Sequence, residues 1–98
     1  MPYIFVRQKI KEYDAWKAGF DGDIATRQAG GATGAHVFRD AEDPNVVSIL
    51  LQMKDMASIQ AMMDRMQTPE MQQIMADAGV IGPPEALYIF SEANETPG

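Results

Sequence analysis

The octapeptide "VVSILLQM" at positions 46–53 is the feature that most restricts how this chain can fold. Its β-branched and aliphatic residues read as a strand. Val47, Ile49, Leu51 and Met53 make one side wholly apolar, while Val46, Ser48, Leu50 and Gln52 leave the other side half apolar. A strand with one solvated face alternates cleanly between apolar and polar residues. This one does not, so burial on both faces is expected. The same mixture recurs elsewhere. "YIFVRQKI" (3–10) sets Ile4, Val6, Gln8 and Ile10 against Tyr3, Phe5, Arg7 and Lys9, and "ALYIFSE" sets Ala86, Tyr88 and Phe90 against Leu87, Ile89 and Ser91. A chain of 98 residues supplies one small domain and no further layer to cover a second face. A second subunit would supply it.

Between these strands the pattern turns helical. In "EYDAWKAGFDGDIATRQAGG", Tyr13, Trp16, Phe20, Ile24 and Arg27 follow helical spacing. Asp14 is the expected cap, Gly30-Gly31 the expected stop, and Gly19 and Gly22 predict a kink or break near Asp23. "GAHVFRD" is a short strand, joined to "VVSILLQM" through the "DAEDPN" turn. Asp55 caps "MASIQAMMDRM", and Thr68 followed by Pro69 starts another helix that runs to about Ala78. "AGVIGPPEA" reads as a connection, and "ALYIFSE" as the final strand. The order strand, helix, strand, strand, helix pair, strand is the split βαβ pattern. The expected fold is therefore α+β and ferredoxin-like, βαββαβ, with a four-stranded antiparallel sheet and helices on one face. Residues 1–93 form the single domain and 94–98 a flexible tail.

Composition narrows the function classes. Residues 41–98 carry two basic and nine acidic side chains of a chain whose net charge is −6. Without a basic stripe, nucleic acid and anionic membranes are unexpected partners. The N-terminus lacks a signal-peptide core and no run approaches membrane-spanning length, so a cytoplasmic protein is expected. No cysteine and one histidine exclude a disulfide framework, thiolate metal sites and a histidine-rich centre. No metal or other cofactor is expected. Of the usual supports for a small domain, oligomerisation is left.

Four stretches carry a resemblance: "YDAWKAGFD", Arg27 with a glycine following, "VFRDAEDPNVV", and "TPEMQQIMADAGVIGPPE". Through them the chain resembles the small stand-alone dimeric α/β-barrel proteins grouped with the antibiotic biosynthesis monooxygenases, and within these a subgroup mostly of unknown function. The resemblance implies a homodimer whose two sheets face each other as a barrel. It also implies a cavity in each subunit between sheet and helices. Some relatives oxidise aromatic polyketides with dioxygen and neither metal nor flavin; others degrade haem, and others isomerise or cyclise small molecules.

Candidate site residues follow from both lines. Trp16 is a core aromatic by its place on the helical stripe, or a pocket wall whose indole N–H orients a substrate oxygen. His36 shares its strand face with Phe38 and is either an interface residue or a proton acceptor for a phenol or enol. Arg7 and Arg39 fall on strands, where a guanidinium beside aromatic rings could fork onto a carboxylate or enolate. Arg27 is expected only to flank a helix end. Tyr88 could turn its hydroxyl into a pocket. Six of eight methionines lie between Met56 and Met75, and with Phe20 and Met53 the residues Met62 and Met66 would make a pliable apolar wall. Three functions emerge: a cofactor-independent oxygenase or isomerase of a small aromatic or enolic molecule, with His36, Trp16 and Arg39 as its chemical residues; a non-catalytic binding or stress protein, a dimer with an apolar ligand in its cavity; or a vestigial barrel acting only as an assembly partner.

Overall fold

The computed structural model describes residues 1–98. Its elements are β1 (Tyr3–Ile10), α1 (Tyr13–Gly22), α2 (Ile24–Ala29), β2 (Ala32–Arg39), β3 (Val46–Met53), α3 (Met56–Met66), α4 (Pro69–Asp77) and β4 (Val80–Phe90). The four strands pair antiparallel in the order β2-β3-β1-β4, the ferredoxin-like arrangement, and the sheet of one chain is open. No helix is long and apolar enough to cross a membrane.

Local chemistry explains the boundaries. The Asp55 carboxylate accepts the Ser58 backbone N–H at 2.7 Å and starts α3. Thr68 Oγ1 accepts the Met71 N–H at 3.3 Å, with Pro69 at the first helical position of α4. α1 is capped by Glu12 and not by Asp14: the two Glu12 carboxylate oxygens accept the Asp14 and Ala15 N–H groups at 3.0 and 2.8 Å. The helical stretch breaks at Asp23, which ends α1 and precedes α2.

The second correction is to β4. It begins at Val80, so most of the presumed connection belongs to the strand. Pairing passes from Arg7↔Ala86 to Lys9↔Ile81, leaving Gly82–Glu85 bulged opposite Gln8. Gly82 takes φ +68° there, and the two prolines occupy the bulge, where no ladder N–H is required. Gln8, the one buried polar side chain, donates its Nε2 to the Ile81 and Gly82 carbonyls at 3.2 and 3.3 Å. A second bulge lies in β2, between Ala32 and Gly34.

The core sits on one face of the sheet. Ile4, Leu51 and Met53 pack with Ile59 and Met62 of α3, and Ile10 and Val47 pack with Trp16 of α1. Phe20 and Ile49 touch both groups and join them. Each fully buried aliphatic side chain contributes about 1.5–3 kcal/mol of transfer free energy.

Candidate functional site

The register sorts the expected site residues onto opposite sides of the sheet. One cross-strand row runs His36, Leu50, Phe5, Tyr88, spanning all four strands. Phe38 and Arg7 stand one row away on the same side. None of these belongs to the core clusters. Phe38 is 51% and Tyr88 57% exposed, a large apolar display for strand residues. The His36 and Phe38 rings stack at 6.1 Å, and so do those of Phe5 and Tyr88.

Trp16, Phe20, Met53, Met62 and Met66 lie on the helix side. His36 is thus parted by the sheet from Trp16, and within one subunit the two do not meet at one bound molecule. Nor do the helix-side residues line an open space as a set. Met53 is fully buried, Met62 nearly so, and Met66 packs against them. The Trp16 and Phe20 rings stack at 5.1 Å. Arg39 stands on the helix side, at its rim and apart from His36: its guanidinium lies 4.3 Å from the centroid of Tyr13, which packs against the Trp16 group, and its Nε donates to the Pro44 carbonyl at 3.2 Å.

Arg7 has acidic partners. Its Nη1 meets Asp40 Oδ1 at 3.0 Å and its Nε meets Glu85 Oε1 at 3.1 Å. The hydrogen bond with Asp40 raises the Arg7 pKa. Asp40 is held below the usual carboxylate range, first by the Asp43 backbone N–H and then by Arg7. This cluster ties β1, the β2–β3 turn and the β4 bulge together at the rim of the open face.

On the helix side, a cleft of about 150 Å³ opens between α2 and β2, lined by Ile24, Arg27, Gln28, Ala32, Thr33 and Ala35 among others. That volume suits one benzene-sized ring (about 150 Å³ accepts benzene in an engineered cavity). The β2 bulge falls within its wall. Arg27, expected only to flank a helix end, stands in this wall. Its guanidinium lies 3.7 Å from the Phe20 ring centroid and donates to the Phe20 carbonyl. Partial burial lowers its pKa, against the opposing pull of Asp23 and Asp21, neither of which comes within ion-pair distance. One Arg27 N–H group serves Phe20, so the rest of the fork is free for a ligand. The helical spacing of Phe20 and Arg27 was the available signal; it read only as a stripe ending in a positive charge. The cleft wall contains no carboxylate and no imidazole, and no three His, Cys, Asp or Glu side chains gather as a metal-binding group.

No protein-family model matches the sequence, and no curated protein does. Solved structures do. A provisionally assigned antibiotic biosynthesis monooxygenase from Bordetella bronchiseptica superposes with a TM-score of 0.68 at 14% identity, covering 95% of this chain and 97% of that one. A conserved protein from Methanosarcina mazei gives 0.64 at 13%, covering 94% and 92%. Another provisional monooxygenase of this kind, from Nitrosomonas europaea, gives 0.58 at 16%, covering 96% and 100%. At such identities the likeness is one of fold, and it is the fold of the group that the sequence resembles.

Proposed function

We propose that this chain is a homodimeric barrel that binds a small planar aromatic or enolic anion in the α2–β2 cleft. The observation that carries the ligand is Arg27: a partly buried guanidinium, fixed over Phe20, without an acidic partner, beside apolar walls of ring size. Such a cation favours the ionised form of a phenol, enol or carboxylic acid, and its planar fork matches two oxygen acceptors. Dimerisation rests on the His36–Leu50–Phe5–Tyr88 row, whose apolar area a second copy would remove from water. His36 then serves the subunit interface, and Trp16 supports Phe20 from behind.

Turnover is the second reading, favoured by the same cation. An arginine-stabilised enolate is the electron-rich form that an oxygenase or isomerase acts upon. With no acid or base in the cleft wall, the proton passes to solvent, and the reaction rate should follow the ionisation of the substrate itself.

Titration with benzoate and with simple phenols, followed by the backbone amide signals of Thr33 and Ala35, tests the site. Saturable shifts are expected, lost in Arg27→Met and in Ala35→Leu, which fills the cleft. Oxygen uptake with enolic aromatic compounds then separates the two readings. Saturable binding without turnover leaves a carrier; absence of binding at millimolar ligand refutes both.

A further inference from the structure

A second concavity, about 400 Å³ in volume, lies between the end of α2 and α3. It shares no residue with the α2–β2 cleft. Residues 41–98 contain only two basic side chains, Lys54 and Arg65, against nine acidic ones, and both line this concavity. Lys54 comes from the turn after β3, and Arg65 from the last turn of α3. Two cations drawn together on the acidic half of a chain of net charge −6 call for a reason.

The backbone beneath them is bare. A Cβ on Gly30 would stand 3.2 Å from Arg65 Nη2. One on Gly31 would stand 2.6 Å from Ser58 Oγ and 3.4 Å from Lys54 Cε. Gly31 also holds φ at +100°, which favours glycine. Lys54 from the turn after β3, and Ser58 and Arg65 from α3, therefore close on the Gly30–Gly31 peptide. The chain's ion pairs involve Arg7 and Lys17 and leave Lys54 and Arg65 unpaired.

Two plainer explanations fit less well. The cations could cap the C-terminus of α2, but α2 has six residues, and its last carbonyls already accept backbone donors: Thr26 and Arg27 from Gly30, and Gln28 from Gly31. They could instead neutralise Asp55, the one carboxylate in the lining. Its oxygen is engaged with the Ser58 N–H at 2.7 Å, and hydrogen bonding from Ser58 is the main cause that holds its pKa down, with Lys54 a lesser one.

We propose that this concavity binds a tetrahedral oxyanion, the phosphoryl group of a small molecule or free phosphate. Lys54 supplies a mobile point charge and Arg65 a planar fork of N–H donors, while the Ser58 hydroxyl is held by Asp55. The proposal stands independently of the Arg27 cleft.

The test is titration of the whole chain at low ionic strength with inorganic phosphate and, separately, with methyl phosphate, read by calorimetry and by the amide signals of Gly30, Gly31 and Ser58. Saturable binding with shifts at these amides is expected, and it should weaken as salt is added. Lys54→Met and Arg65→Met should each weaken it about tenfold or more. Both side chains are exposed, and circular dichroism checks that the variants fold. Asp55→Asn keeps an N-cap side chain while removing the negative charge, so it should tighten binding. Lys17→Gln changes the net charge by the same amount as Lys54→Met, on the remote α1, and should leave binding unaltered. Tighter binding of methyl phosphate marks an ester as the ligand, and the reverse order marks free phosphate. No saturable binding, equal weakening by Lys17→Gln, or shifts confined to Thr33 and Ala35 would overturn the proposal.

Discussion

On the helix side of the sheet Ile4, Val47 and Leu51 are buried; their immediate neighbours in the same strands, Phe5, Ser48 and Leu50, are half-covered and face the open side. The same strands therefore build one completed face and one unfinished face. On the first, Ile59, Met62 and Trp16 descend from the helices and fill the space. On the second, aromatic rings stack only with one another. Alternation assigns a residue to a side of the sheet, but what covers that side depends on how many layers the chain can supply.

The largest expected effect lies on the covered face. Met53→Ala leaves a cavity among Ile4, Leu51, Ile59 and Met62 and should cost about 2–5 kcal/mol of stability by denaturant unfolding. An unchanged midpoint would mean that this core is not the one holding the fold. On the open face, Leu50→Glu sets a charge between His36 and Phe5 and should weaken self-association about 100-fold in sedimentation equilibrium, roughly the effect of a hot-spot residue. If the parent chain is monomeric at micromolar concentration, the open face is simply tolerated by solvent, and the contrast between the faces loses its meaning.

A smaller effect probes what keeps the covered face covered. Asp55→Ala removes the α3 cap and should cost about 1 kcal/mol, with Asp55→Asn retaining most of it. The smallest belongs to the rim of the open face. Asp40 titrates below its ordinary value of 3.8, so its contribution is present above that pH and is lost as pH falls through the folded-state pKa. Asp40→Asn should flatten that part of the acid-unfolding curve and lower stability at neutral pH by the same amount, which is small because the pair with Arg7 is solvent-screened. A parallel acid limb in the variant would assign the pH dependence to other carboxylates.

Much of the fold was legible because it rests on local signals. The β1 and β3 boundaries, the break at Asp23, and the Asp55 and Thr68 caps all follow from residue type and spacing. The Glu12 cap was hidden because a glutamate reaches the helix N–H groups with a longer side chain than the usual capping residues. The early start of β4 was hidden because two prolines ordinarily argue against a strand, and only the pairing with β1 shows that they stand in a bulge. The candidate site was less legible. The bulge between Ala32 and Gly34 alters the pairing of β2, so the side on which His36 stands relative to Trp16 depends on a register set by β3. Arg27 acquires its interest only when α2 lies along β2, a tertiary arrangement that spacing within one helix cannot show.

The bulge that holds Pro83 and Pro84 also bears on how copies of this chain can grow into assemblies. β4 is an outer strand of the sheet, and an outer strand is normally a template on which another chain can continue the ladder. Neither proline has an N–H to offer, and the bulge carries that stretch out of line. Half of this edge is thereby a poor seed for strand addition. That disfavours growth along the edge, which could repeat without limit into fibres, and suits the proposed pairing through the face, which would close on itself after two copies.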